Sequence, residues 1–211
     1  MSFNTIIFDM DGVLIDTEYH YAQVFDAFFD KKGIPIAHLN RRELLGRPLR
    51  DLWPFILGED FDKKDAARLQ KEFFTYKKSS HFSIEEMLFP DVKVILQRLS
   101  ETKLKIGLAT SSSHDEIAEV LDTHNLRKYF EVISSGEDFP ASKPHPDVYL
   151  SAMKQLNARA SDVLVIEDSP NGIAAGATVW AIRDQRFDSD QSQADRRVEH
   201  LTEVLELLGF S

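Results

Sequence analysis

The sequence predicts an α/β fold: a doubly wound, Rossmann-like parallel sheet interrupted by an inserted α-helical cap. Three observations predict it. From Leu104 onward, short apolar runs alternate regularly with amphipathic segments. A β-branched and aromatic run, Phe3 to Phe8, ends abruptly in two carboxylates, Asp9 and Asp11. The interval between that run and Leu104 is nearly all helical and far exceeds the dozen or so residues that a crossover between parallel strands needs.

In chain order, Thr5 to Phe8 reads as a buried strand, too short for a helix and closed by Asp9 and Gly12. Tyr21, Val24, Phe25, Phe28 and Phe29 then recur at helical spacing, which predicts an amphipathic helix from Thr17 to Lys32, stopped by Gly33 and Pro35. Further helices are expected at Arg42 to Leu45, Leu49 to Leu57 and Lys63 to Lys78, the last capped by Asp62. After Phe89-Pro90 comes a helix with Val92, Ile95, Leu96 and Leu99 inward, and then a strand at Leu104 to Thr110. Ser113 to Glu116 is a capping box that opens the next helix. Val132 to Ser134, Val163 to Ile166 and Val179 to Ile182 are the remaining strands. Helices start near Pro146 and run around Gly172 to Ala175, and one carrying Leu201, Val204, Leu205 and Leu208 closes the chain. The domain expectation is a core of 1–16 with 88–211 and a cap of 17–87, rooted beside Asp9 where a lid could close over substrate.

Composition narrows the function. The 211 residues, 43% hydrophobic, suffice for a substantial core. There is no cysteine, so disulfides, thiolate nucleophiles and zinc–thiolate sites are excluded, and any metal must be held by oxygen or imidazole. A formal charge of -10 repels nucleic-acid phosphates and anionic membrane, so neither is an expected partner. No run reaches the roughly 18 apolar residues of a membrane span, and a cytoplasmic monomer or weak oligomer is expected.

Polar groups recur wherever a predicted strand ends: Asp9 and Asp11, then Thr110-Ser111-Ser112, and Glu167-Asp168, with Lys143 in a loop after the Val132 strand. Each alone could be a strand stop, a helix cap or a surface lysine. Parallel strands bring all four to one edge, the edge at which ligands bind in open α/β sheets. Asp9, Asp168 and a backbone carbonyl make an oxygen-rich set suited to magnesium. A carboxylate can attack phosphorus, Lys143 can offset the repulsion of two anions, and Thr110 can donate to a phosphoryl oxygen. Asp11 is placed to protonate a leaving oxygen and later to deprotonate water.

These residues resemble the haloacid dehalogenase superfamily, and within it the β-phosphoglucomutase-like group with a helical cap. Asp9-x-Asp11-Gly12-Val13-Leu14-x-Asp16-Thr17 matches its first motif, Thr110 the second, Lys143-Pro144-x-Pro146-Asp147-x-Tyr149 the third and Glu167-Asp168-Ser169-x-x-Gly172 the fourth. The resemblance implies Asp9 as nucleophile and magnesium ligand, and Asp11 as acid/base and ligand through its carbonyl. It further implies Asp168 as a direct ligand with Glu167 assisting through water, and Thr110, Ser111 and Lys143 as phosphate binders. Dehalogenases lack the second aspartate, and phosphonate-cleaving relatives carry a cap lysine that the loop Leu45 to Asp51 does not have.

Two departures from the pattern stand out. Leu45 and Leu49 occupy positions where β-phosphoglucomutases carry lysine and arginine, which leaves Arg47 and Arg50 as substitutes for gripping a distal phosphate or as solvated arginines. In the same cap, Tyr21 stands where a histidine often occurs, so the alternatives are that His20 or Tyr21 faces substrate or that Tyr21 belongs to the Phe stripe. After the fourth motif about three residues, nearly one helical turn, are absent. The expected function is magnesium-dependent phosphoryl transfer on a small phosphorylated metabolite, a sugar phosphate above all, by phosphatase or phosphomutase chemistry. The rivals are a phospho-acceptor signalling domain and a catalytically silent binding protein on the same fold.

Overall fold

The computed structural model describes residues 3–39, 52–79, 84–186 and 189–210. Six parallel strands form one sheet in the order β3-β2-β1-β4-β5-β6, with β1 at Thr5–Phe8, β2 at Lys105–Thr110, β3 at Val132–Ser135, β4 at Val163–Glu167, β5 at Thr178–Ile182 and β6 at Arg196–Val198. The chain winds outward from β1 to β3, returns to the other side of β1 at β4, and winds outward again. The topological switch therefore falls at β1, where α/β sheets leave a crevice beyond the strand ends. Phe8 stands between Leu108 of β2 and Ile166 of β4, so Asp9 emerges at that point.

Strand alternation sorts the core into two layers. Ile6, Phe8, Ile106, Leu108, Leu164, Ile166 and Trp180 face one way, packed by helices at Val92–Ser100, His114–His124 and Leu201–Leu207. Ile7, Ala109, Val163, Val165, Val179 and Ala181 face the other, packed by helices at Asp147–Gln155 and Pro170–Ala175. Strands buried on both faces explain why these runs lack the polar alternation of a half-exposed sheet. The predicted capping box is formed: Ser113 and Glu116 satisfy each other's backbone amides.

Beyond β1 the backbone doubles back, with Leu14 N and Ile15 N both donating to Met10 O and Gly12 N to Ile15 O. Gly12 holds φ +72, a left-handed conformation that favours glycine. Ile15 then bridges Leu88, while Asp16 N donates to Met87 O and Phe89 N to Leu14 O, so the outgoing and returning segments pair.

The chain divides into two compact units, 1–16 with 84–211, and 17–83. The second junction thus lies four residues before the position expected from sequence. The reason is packing: Ile84, Met87 and Leu88 lie against the sheet's core cluster. The smaller unit has its own core. A helix at Thr17–Lys31 contributes Val24, Phe25, Phe28 and Phe29, a short helix at Trp53–Leu57 adds Trp53 and Ile56, and a helix at Lys63–Ser79 adds Ala66, Leu69 and Phe73. Phe73 is central, with its ring within 6.5 Å of those of Phe25, Phe28 and Phe29. Asp62 accepts from Lys64 N at the third helix's start. The helix expected at Arg42 to Leu45 lies outside the described residues, as does the beginning of the one expected from Leu49.

Two features escaped the sequence reading. Arg196 and Arg197 lie in the edge strand β6, whose Val198 is buried and whose Arg196 guanidinium sits 5.3 Å from the Trp180 ring. Arg186 forks onto Asp16 through two hydrogen bonds of 2.7 and 2.9 Å and also binds Asp184. Among the described residues no helix is long and apolar enough to cross a membrane.

The aromatic cluster of the smaller unit should depend on Phe73. Phe73→Ala is expected to cost that unit about 3–5 kcal/mol, read by hydrogen exchange as lost protection in the Thr17–Lys31 and Lys63–Ser79 helices while β1 and β4 amides keep theirs. Undiminished protection in both helices would contradict this packing account.

Candidate active site

Four strand ends supply the site. Asp9 follows β1, Thr110 ends β2, Lys143 lies in the loop after β3, and Glu167 and Asp168 end and follow β4. The Lys143 side chain is only 6% exposed, and its Nζ stands 2.8 Å from Asp9 Oδ1 and 2.8 Å from Glu167 Oε1. It also donates to the Ala109 carbonyl at 3.3 Å and lies 4.7 Å from the centre of the Tyr149 ring. One buried ammonium thus joins β2, the β3 loop, β1 and β4.

Glu167 is fully buried and saturated. Its Oε1 accepts from Lys143 and from the Tyr149 hydroxyl at 2.9 Å, and its Oε2 accepts from Asp168 N, Ser169 N and Ser169 Oγ. Gly172 lies against this carboxylate so closely that a methyl group there would overlap it, which is the physical demand behind the glycine of the fourth motif. A methyl at Gly12 would likewise overlap the carboxylate of Asp168. The short helix at Pro170–Ala175 is capped by Ser169, and Gln191 Nε2 donates 2.7 Å to the Asp168 carbonyl. These bonds hold the Asp168 loop above the six-residue helix.

Asp9 differs from Glu167. Its Oδ1 meets Lys143 at ion-pair distance but outside hydrogen-bond geometry, and has no other hydrogen-bond partner among the described residues. Burial pushes the Asp9 carboxyl up to about 8, against the pull of Lys143, with the charges of Glu167 and Asp11 adding to the rise. Burial also opposes ionisation of Glu167, but Lys143 and the donors around it prevail and hold its carboxyl below the usual range. Lys143 itself is held above the ordinary lysine range because Asp9 and Glu167 outweigh the effect of burial.

Oxygens of Asp9, Glu167 and Asp168 lie within 4.8 Å of one another. The donor set is all oxygen and hard, and one ammonium faces several carboxylates, so a divalent cation of the magnesium or calcium kind fits it. Because the hydrogen bonds of Glu167 are already committed, Asp9 and Asp168 are the carboxylates suited to direct ligation, with Glu167 as their support.

Asp11 is half-buried, and its Oδ2 accepts from Ser112 Oγ at 2.5 Å and Thr110 Oγ1 at 3.4 Å. Ser111 is exposed at the end of β2. Sequence reasoning passed over Ser112, Tyr149 and Gln191 as site residues. Ser112 was visible only as one more hydroxyl in a run of four, whereas Tyr149 sat in the third motif itself. Arg47 and Arg50 lie outside the described residues. Tyr21 packs in the aromatic cluster of the smaller unit, its ring 5.7 Å from that of Phe73, and burial pushes its phenol up. His20, also in that unit, stands edge-on to Tyr19.

The fold and the acid-lysine edge define a doubly wound α/β enzyme built to handle anionic groups beside a cation. The chain belongs to the haloacid dehalogenase-like hydrolase family, which it matches over residues 6–180. It is 35% identical over 170 residues to a phosphorylated carbohydrates phosphatase of Thermotoga maritima, covering 81% of this chain and 78% of the relative. It is 24% identical over 221 residues to the pyrophosphatase PpaX of Oceanobacillus iheyensis, covering 100% of this chain and 99% of that one. A solved structure of a candidate β-phosphoglucomutase from Thermotoga maritima superposes with a TM-score of 0.77 at 29% identity, covering 99% of each chain.

The raised Asp9 carboxyl has a measurable consequence. Its ordinary value is 3.8 and its folded value about 8, so between them the folded chain holds a proton that the unfolded chain has released. Its contribution to stability is complete at low pH and is lost as pH rises through the folded value. Cation-free protein should therefore lose stability to urea from about pH 5.5 to about pH 8.5, and Asp9→Asn should flatten that slope. Stability that climbs across the window, or a slope indifferent to the substitution, would refute the assignment.

Proposed function

We propose that this chain is a magnesium-dependent phosphotransferase of small phosphorylated carbohydrates, with water as the ordinary acceptor, working through an aspartyl phosphate on Asp9. The observation that carries this reading is the buried Asp9–Lys143–Glu167 array beside Asp168 at the sheet's switch point. A nucleophilic carboxylate needs a cationic neighbour to approach a phosphate dianion, and Lys143 is that neighbour.

Asp9 and Asp168 would hold the cation, Asp11 joining through its carbonyl, and the cation would offset charge on the phosphoryl oxygens. Thr110 Oγ1 and the exposed end of β2 at Ser111 would donate to those oxygens. Asp9 attacks phosphorus, forming an aspartyl phosphate as the bond to the leaving oxygen breaks, and Asp11 delivers its proton to that oxygen. Asp11, now ionised, takes a proton from water as the water oxygen attacks phosphorus, releasing phosphate and regenerating Asp9. Tyr149 keeps Lys143 and Glu167 aligned through its ring and hydroxyl.

The carbohydrate class is supported by the 35% identical relative, and phosphatase rather than mutase chemistry by the leucines at 45 and 49. A mutase differs only in passing the phosphoryl group to a second sugar hydroxyl, and the candidate β-phosphoglucomutase at 29% identity keeps that outcome in view.

Assay of a sugar-phosphate panel should release inorganic phosphate with magnesium and none after chelation. Asp9→Asn should lower kcat by at least about a thousandfold and Lys143→Met by about a hundredfold. Turnover that survives Asp9→Asn would end the covalent mechanism. Isomerised sugar phosphate without free phosphate would identify a mutase, and magnesium-dependent phosphate binding without turnover would identify a binding protein.

A further inference from the structure

Two carboxylates two residues apart must do different work in this reading, and what fixes the second one is visible. Asp11 lies one residue past Met10, on the loop leaving β1, half-exposed and with a side chain that turns about two bonds. Left alone it would sample several rotamers. Instead Ser112 Oγ lies 2.5 Å from Asp11 Oδ2, and Thr110 Oγ1 lies 3.2 Å from Ser112 Oγ and 3.4 Å from the same carboxylate oxygen. The serine is itself anchored. Its backbone N–H donates to Thr110 Oγ1 at 3.1 Å, and its carbonyl accepts from the buried Ser135 Oγ at 2.7 Å. Gly136 lets the β3 end approach: a Cβ there would stand 2.9 Å from Ser111 Cα.

We propose that Ser112 is the positioning residue of the acid/base, holding the Asp11 carboxyl in both of its protonation states beside the leaving oxygen and then beside the attacking water. The inference rests on the reading of Asp11 as that acid/base. A hydroxyl suits the task because it both donates and accepts. When Asp11 is ionised, Ser112 donates to Oδ2. When Asp11 carries its proton on the other oxygen, aimed at the substrate, the same Ser112–Oδ2 bond persists, and when the proton sits on Oδ2 the hydroxyl reverses and donates to Thr110 Oγ1. Proton transfer to the leaving oxygen breaks the Asp11 O–H bond as the P–O bond breaks. The electron pair of the P–O bond stays on the leaving oxygen, which takes the proton, so no further reactant is needed. Ser112 neither gains nor loses a net proton.

The alternative is that Ser112 binds the phosphoryl group, and leaving groups tell the two apart. A sugar alkoxide is a poor leaving group and needs protonation, whereas p-nitrophenolate leaves without help. kcat/KM reports steps through the first phosphoryl transfer and is read for both substrates on wild type, Ser112→Ala, Ser112→Thr and Asp11→Asn, alongside competitive inhibition by inorganic phosphate. The expected result is that Ser112→Ala lowers the sugar-over-aryl ratio by about tenfold and Asp11→Asn by about a hundredfold or more. Ser112→Thr, which keeps the hydroxyl, should recover most of the ratio, and inhibition by phosphate should shift by less than about threefold.

Equal losses on both substrates, or weakened phosphate inhibition in step with them, would make Ser112 a phosphate ligand and overturn the proposal. An unchanged ratio in Ser112→Ala beside a collapsed one in Asp11→Asn would overturn it while leaving the acid/base intact. An unchanged ratio in Asp11→Asn would remove both. Because the ratio compares two substrates on one preparation, partial misfolding of a variant does not affect it.

Discussion

The structure turns on one buried ammonium. Lys143 reaches the junction of β1, β2 and β4 from a loop beyond β3, and a cation there is tolerable only because carboxylates surround it. The dependence runs both ways. Glu167 sits fully buried at the end of β4, where an unpaired charge would be prohibitive, and Lys143, Tyr149 and two backbone amides together make its ionised form the stable one. Removing Lys143 takes away the one cation that faces the buried Glu167, and removing Glu167 leaves Lys143 with Asp9 alone as its carboxylate, so this pair ties the sheet's centre to its edge loops.

Close approach around that pair is secured by what is absent from the side chains. Gly172 and Gly12 lie where any Cβ would strike the carboxylates of Glu167 and Asp168, so both acids are clamped by backbone on their far sides. A six-residue helix follows Asp168, its start is capped by Ser169, and the Asp168 carbonyl is held by Gln191, a side chain near the edge of the sheet. Arg186 binds Asp16 in the same way at the exit from the first motif.

Much of this was legible in the chain because buried parallel strands are written as uninterrupted apolar runs and their ends as abrupt acids. Thr5 to Phe8 followed by Asp9, and Val163 to Ile166 followed by Glu167, needed nothing more. β6 was not legible: three residues, two of them arginines at an exposed edge, carry no hydrophobic period. Ser112 was hidden for another reason. In a run of four hydroxyl residues, composition cannot say which one meets Asp11, and only the register of β2 against β1 and β3 decides it. Gln191 and Arg186 act across long stretches of sequence, and pairings of that range have no local signature. The second junction of the inserted unit was misplaced because Ile84 to Leu88 lack a strand or helix period of their own and are claimed by the core through packing.

The two aspartates of the first motif show how one loop separates two roles. Asp9 is 6% exposed and faces an ammonium, so its ionisation is hostage to positive charge and a cation in the site would complete its activation. Asp11, two residues further on, is half-exposed and faces hydroxyls, which can donate or accept without imposing a charge. A nucleophile must stay unprotonated throughout the reaction, and an acid/base must change state twice in each turnover. A fixed charge beside Asp9 and reversible donors beside Asp11 meet those opposite requirements.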